Sequence, residues 1–217
     1  MGQPVETDST RRRRLLLYAR CLVGVTVAYN VIEAVAALAA GITANSMALI
    51  GFGLDSAVEV LAAAVVLWQV AAREDAERNR REHVALRMIA MAFFTLAAFV
   101  AAESLRGLRD AAEPRPSVPG LVLAVLGLFV MPALAAVQRR AGRQLGSTAA
   151  VADARQTLLS TYLSAILLIG LGLNAFLGWG WADSLAALVI AGVAVREGIQ
   201  AWRGDLCCAA PKPGSRS

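Results

Sequence analysis

The chain is poor in the residues from which most enzyme sites and metal centres are built. Histidine occurs once, at His83 in a polar stretch, and cysteine three times, at Cys21, Cys207 and Cys208. One histidine provides neither a nucleophile–base pair nor a histidine-rich metal centre, so we expect no enzyme and no resident cofactor. Three cysteines, two of them adjacent, form no disulfide framework. We expect Cys207 and Cys208 to be reduced thiols in a tail, with metal handling as the alternative.

Charged residues are also scarce. They make up 17% of the chain, against roughly 25% in soluble domains, while 58% is hydrophobic and the mean hydropathy is +0.59. Several apolar segments approach the ~20 residues that a membrane-spanning helix needs. The net charge of +5 does not indicate nucleic-acid binding, because the arginines cluster between apolar segments. The composition therefore predicts an integral membrane protein whose partner is the lipid bilayer.

The apolar segments predict an all-α membrane protein with six transmembrane helices. We expect them at about 15–40, 46–72, 84–108, 118–138, 148–174 and 182–203. A short hairpin loop at Gly41–Ser46 and a polar linker at Arg73–His83, long enough to extend a helix into water, separate the first three. The domain organisation is then a basic tail (1–14), a six-helix domain (15–203) and a short tail (204–217).

Basic residues predict the orientation in the membrane. With both termini in the cytoplasm, the inner loops and tails carry most of the basic residues outside the helices: Arg11–Arg14, Arg73, Arg78, Arg80, Arg81, Arg139, Arg140, Arg143, Arg203, Lys212 and Arg216. The outer loops then carry Arg106, Arg109 and Arg115. This asymmetry favours cytoplasmic termini.

Acidic residues interrupt the first two apolar segments. Thr26, Asn30 and Glu33 share one face of the first helix, and Asp55 and Glu59 lie four residues apart on one face of the second. A carboxylate at the bilayer centre costs about 2.5–3.5 kcal/mol on insertion scales, so acids there indicate a function. Because Asp55 and Glu59 lie on one face, the simplest ligand that they could bind is a cation.

A second polar face opens the fifth helix, where Asp153, Gln156 and Ser160 follow i, i+3, i+7 spacing. If this face meets that of Asp55 and Glu59, carboxylate, amide and hydroxyl oxygens surround one point. Such oxygens suit Mn²⁺, Mg²⁺ or Fe²⁺. Two neighbouring carboxylates cannot both ionise easily, so protons and metal would compete for the same atoms, as exchange transport requires.

The passages YNVIEAVAALAAGITANSMALIGFGLDSAVE and DARQTLLSTYLS resemble the cation diffusion facilitator family of metal/proton antiporters, over residues about 18–203. In that family the second and fifth helices each carry a His/Asp-xxx-Asp pair that together bind one divalent metal. The resemblance places the first pair on Asp55 and Glu59, and the second on Gln156 and Ser160 with Asp153 one turn earlier. It implies export of a divalent cation across a bacterial inner membrane by a homodimer.

Two departures from the family pattern keep an alternative open. The fifth helix offers neutral Gln156 and Ser160 where members usually carry acids or histidines, and we expect no C-terminal cytoplasmic metal-binding domain after the sixth helix. A non-transporting relative that acts as a membrane sensor or scaffold is therefore the second reading. Asn30 and Glu33 match a polar pair in the family's first helix, and we expect them to hydrogen-bond to the metal ligands or to line the path of the cation. We expect Glu103 and Asp183 to sit at span ends, in contact with water.

Overall fold

The computed structural model describes the backbone of residues 5–70, 75–110, 113–144 and 148–204, and most of their side chains from residue 21 onward. Over these ranges the chain forms α-helices and no strand, which confirms the all-α, six-helix prediction. In chain order the helices are α1 (Val5–Ala44), α2 (Met47–Val70), α3 (Asp75–Arg109), α4 (Val118–Gln144), α5 (Thr148–Leu177) and α6 (Gly180–Arg203).

Several helix boundaries differ from the prediction: α1 begins at Val5 rather than at about 15, and α4 ends at Gln144 rather than at about 138. The predicted loop at Gly41–Ser46 is shorter, because α1 continues to Ala44 and only Asn45 and Ser46 separate it from α2. Asn45 adopts a positive φ of 54°, a conformation that asparagine tolerates well and that reverses the chain within two residues. The polar linker before the third helix is helical from Asp75 onward, as predicted, so α3 extends well beyond its apolar part.

Helix α2 lies at the centre of the bundle. It packs against α1, α3, α5 and α6, whereas α4 packs mainly on α5 and α3 mainly on α6. The core contains many alanines, together with Leu49 and Phe52 of α2. Small residues allow helix backbones to approach closely, which is how helices associate in lipid. At Gly53 a Cβ would lie 3.0 Å from the backbone nitrogen of Leu38, so the contact of α1 with α2 requires glycine there.

Asp183 corrects one expectation. It is only 1% exposed and does not meet water at a span end. Its carboxylate accepts hydrogen bonds from the hydroxyl of Ser46 and from the backbone N–H groups of Met47 and Ala48, at 2.8 and 3.2 Å. Asp183 of α6 therefore caps the N-terminus of α2, where free N–H groups and the helix dipole favour a carboxylate.

The outer surface of the bundle is apolar. Among the described residues, five stretches are long and apolar enough to cross a membrane: Cys21–Ala44, Met47–Val65, Arg80–Arg109, Val118–Arg140 and Thr157–Leu177. Helix α6, which carries four charged residues, is not among them and packs against α3. Large side chains such as Phe176 and Ile42 project outward, as expected where lipid surrounds the protein.

Candidate functional site

The carboxylate of Glu59 joins three helices. Its Oε2 accepts a hydrogen bond from Nδ2 of Asn30 on α1, and its Oε1 accepts one from the hydroxyl of Ser160 on α5, both at 2.6 Å. Asn30 and Ser160 are buried and Glu59 is half-buried. Donors on two different helices thus fix the position of this carboxylate. The faces of α2 and α5 that the sequence marked as polar meet at this point.

Asp55 lies one turn earlier on α2 and is buried. Glu59 on the same helix, Glu197 of α6 and Glu33 of α1 lie close enough to interact with it electrostatically. Acids from three helices therefore face a common region around α2. Because like charges repel in a medium of low dielectric constant, such an arrangement strongly favours positive charge between them.

Glu33 is 2% exposed and lies where α1, α2 and α4 meet. Its Oε2 accepts a hydrogen bond of 2.9 Å from the hydroxyl of Ser56 on α2. Its Oε1 has no hydrogen-bond partner and faces Gly127 of α4, where a Cβ would lie 3.4 Å away. The side-chain oxygen Oδ1 of Asn30 is likewise buried and without a partner. These two oxygens lie in the interior close to Asp55 and Glu59, and Tyr29 of α1 lies within reach of the same Glu33 carboxylate.

A chain of hydrogen bonds lies one helical turn from this site. Gln138 of α4 donates to the hydroxyl of Thr26 on α1 at 3.1 Å and accepts from the hydroxyl of Thr157 on α5 at 2.9 Å. Thr26 precedes Asn30 by one turn, and Thr157 precedes Ser160 by about one turn. These three side chains, called here the Gln138 bridge, close the end of the bundle at which α5 begins.

The predicted site residues divide into two groups. Asp55, Glu59 and Ser160, with Asn30 and Glu33, lie together in the structure. Asp153 and Gln156 belong to α5, but their side chains lie outside the described residues. Cys207 and Cys208 also lie outside them. His83 and Cys21 are exposed and apart from the site, and Glu103 forms an ion pair with Arg106 at the surface.

Sequence reasoning missed Glu197 and the Gln138 bridge. Glu197 is 2% exposed and shares a helical face with Ile190, Ala194 and Ala201, all buried. That spacing was visible in the sequence and marks Glu197 as an acid on an inward-facing stripe. Gln138 carried no comparable signal, because a single amide beside Arg139 looks like the start of a polar loop.

Among the described residues, no group of three or more histidine, cysteine, aspartate and glutamate side chains is arranged to hold a metal ion. A cation bound here would need neutral oxygens as well as carboxylates. Asn30, Ser56 and Ser160 supply such oxygens. Hard cations accept mixed sets of carboxylate, amide and hydroxyl oxygens.

A helical membrane domain with clustered carboxylates and polar side chains in its interior has the character of an ion carrier. The chain belongs to the cation efflux family: residues 23–203 match the cation efflux transmembrane domain. That family is one of cation transporters and not of enzymes.

The chain is also similar to two proteins, to one over a long segment at low identity and to the other over a short segment at higher identity. Transmembrane protein 163 of Xenopus laevis is 24% identical over 169 residues, which cover 77% of this chain and 58% of the relative. The cation-efflux pump FieF of Shewanella oneidensis is 36% identical over 72 residues, which cover 33% of this chain and 24% of the pump. The chain thus spans little more than half the length of the first relative and a quarter of the second.

Proposed function

We propose that this protein carries a divalent metal cation across the membrane in exchange for protons, and that it binds the cation between α2 and α5. The observation that carries the proposal is the position of Glu59, which Asn30 and Ser160 hold from opposite sides. Because these two hydrogen bonds hold the carboxylate in one orientation, it can bind a ligand at a defined position within the membrane. The cation efflux family supports a cation as that ligand.

The electrostatics of the site support a doubly charged ligand. Asp55 lies within electrostatic reach of Glu59, Glu197 and Glu33, and a divalent cation or protons bound here would relieve the repulsion between these acids. The same carboxylates therefore serve the cation in one half of the cycle and protons in the other. Protonation would release the metal, and loss of the protons would restore its binding.

The donor set favours a hard or borderline cation. Asp55 and Glu59 would provide carboxylate oxygens and Ser160 a hydroxyl. Gln156 and Asp153, predicted from sequence, would add oxygens from the same helix. Oxygen ligands suit Mg²⁺, Mn²⁺ or Fe²⁺, whereas thiolates and imidazoles are needed for strong discrimination in favour of softer ions.

Alternating access would involve the Gln138 bridge. It ties α1, α4 and α5 together one turn from Glu59, on the side where α5 begins. While these hydrogen bonds persist, that side of the site is closed. Separation of α4 from α1 and α5 would break both bonds and open a path to Glu59.

Direction, location and assembly are further parts of the proposal, and the cation efflux family and the arginine distribution support them. We propose export from the cytoplasm across a bacterial inner membrane, with both termini inside and the protein acting as a homodimer. The arginines at the end of α4 and at the start of α3 would face the cytoplasm under the positive-inside rule.

Transport in proteoliposomes tests the proposal. Vesicles with a pH gradient should accumulate Mn²⁺ or Fe²⁺ when they contain the native protein, and should not when they contain Asp55→Asn or Glu59→Gln. Glu103→Gln is the matched control, because Glu103 lies at the surface in an ion pair with Arg106. Undiminished uptake by both site variants would exclude this site as the transport pathway.

A sensor or scaffold is the second candidate function. The observation in its favour is that the described residues contain no group of three acidic, histidine or cysteine ligands. Such a relative would bind metal without moving it. Metal that binds the purified protein with no dependence on pH, together with no flux, would favour the sensor over the antiporter.

A further inference from the structure

A groove runs along the last turns of α4 where it packs on α5. Its volume is about 450 Å³, and its lining consists of Pro132, Ala135, Ala136, Arg139, Arg140, Arg143 and Leu158. Small or apolar side chains form the floor, and three arginines form one end. The groove thus combines an apolar floor with a cationic end, and an amphiphilic anion is complementary to both.

The arginines are available to bind an anion. All three are exposed, and none of them forms an ion pair with a described residue. The described arginines that do form ion pairs, Arg81 and Arg106, are each bonded to a glutamate on the same helix. The guanidinium groups of Arg139, Arg140 and Arg143 therefore present several N–H donors to an anionic group.

The floor of the groove continues the lipid-facing side of α4. Val122 and Phe129 are 52% and 69% exposed, and Pro132, Ala136 and Arg140 follow Phe129 at intervals of three and four residues. Residues at this spacing form one stripe on a helix. The apolar surface on which acyl chains would lie thus leads directly into the groove and ends at the arginines.

We propose that this groove binds one acidic phospholipid, with the phosphate at Arg140 and Arg143 and an acyl chain along Ala136 and Phe129. Charge complementarity selects an anionic headgroup, and the continuous apolar stripe selects a lipid over a free phosphate. The proposal is independent of the cation site. The bound lipid would restrain the C-terminal end of α4, the helix that also carries Gln138.

Native mass spectrometry of the full-length protein tests the proposal. The protein is purified with phosphatidylglycerol and phosphatidylcholine present in equal amounts, and the retained lipids are counted. We expect one retained phosphatidylglycerol for the native protein and, for Arg140→Gln/Arg143→Gln, retention lower by about tenfold. Arg106→Gln/Arg109→Gln is the matched control, which removes two exposed arginines at the other end of the bundle and should keep the lipid.

Three further measurements keep the proposal falsifiable. Ala136→Trp fills the groove without a change of charge and should also lose the lipid, whereas Arg140→Lys/Arg143→Lys should keep most of it. Inorganic phosphate should not displace the bound phosphatidylglycerol. Equal retention by all variants, equal retention of phosphatidylcholine, or displacement by inorganic phosphate would each overturn the assignment.

Discussion

Glu59 and Ser160 lie 101 residues apart in the sequence, and their side chains are hydrogen-bonded at 2.6 Å. This bond joins α2 to α5 at the depth where Asp55 and Asn30 also lie. A hydrogen bond of this kind fixes the position of the carboxylate. Because a carboxylate within the membrane is energetically costly, its presence there indicates that it binds a ligand.

Removal of the Ser160 hydroxyl should weaken metal binding without unfolding the protein. In Ser160→Ala, Glu59 loses one of the two donors that orient it, so we expect Mn²⁺ affinity lower by about tenfold in calorimetric titration. Thr95→Ala is the control, because Thr95 is exposed and its hydroxyl bonds only to the carbonyl of Met91 in its own helix. Equal affinities for the two variants would mean that Ser160 does not serve the site.

Loss of the Asp183 carboxylate should destabilise α2. Asp183→Ala leaves the N–H groups of Met47 and Ala48 without their acceptor in a buried position. A lost cap of this kind costs about 1–2 kcal/mol, which a thermal unfolding curve in detergent detects. Asp110→Ala removes an exposed acid beyond the end of α3 and should leave the curve unchanged. Similar unfolding temperatures for both would show that the cap contributes little.

A methyl group at Gly127 should disturb the contact of α4 with α1 and α5. Its Cβ would lie 3.2 Å from the Cβ of Ser164, closer still to the Ser164 hydroxyl, and 3.4 Å from Oε1 of Glu33. We expect Gly127→Ala to lower stability by about 1–3 kcal/mol, as overpacking does. In Gly172→Ala no atom lies within 4 Å of the new Cβ, so this variant should be neutral or slightly more stable. A neutral Gly127→Ala would contradict the close approach described here.

The Gln138 bridge should restrain the end of the bundle. Gln138→Leu keeps an apolar side chain of similar size but removes the bonds to Thr26 and Thr157. We expect faster hydrogen exchange in the segments around Thr26 and Thr157, because separation of α4 becomes easier. Gln200→Leu on α6 serves as the control. Unchanged hydrogen exchange in Gln138→Leu would show that the Gln138 bridge does not hold that end of the bundle closed.

Much of the fold followed from hydropathy alone. A helix in lipid must satisfy its own backbone hydrogen bonds, so apolar segments of about 20 residues predict helices with little ambiguity. The helix ends were harder to predict. The break between α1 and α2 depends on one residue in the left-handed conformation, Asn45. The local sequence GITANS does not indicate that α1 continues as far as Ala44.

The candidate site was predictable only where its signal lay within one helix. The i, i+4 spacing of Asp55 and Glu59 identified them, and the spacing of Thr26, Asn30 and Glu33 identified the facing side of α1. Glu197 was overlooked although it lies within the predicted span 182–203 and on the same helical face as Ile190, Ala194 and Ala201. Gln138 was missed, and Asp183 was wrongly expected to contact water, because the partners of both side chains lie on other helices.

The sequence by itself determined that this is a helical membrane protein with acids in its interior, because lipid tolerates a carboxylate only on a helix face turned inward. Only the tertiary structure decided which helices those acids meet. Helical periodicity specifies a face but not the neighbour packed against it, and Asn30, Glu59 and Ser160 come together because α1 and α5 both pack against α2. That packing depends on the whole bundle, so no single segment encodes it.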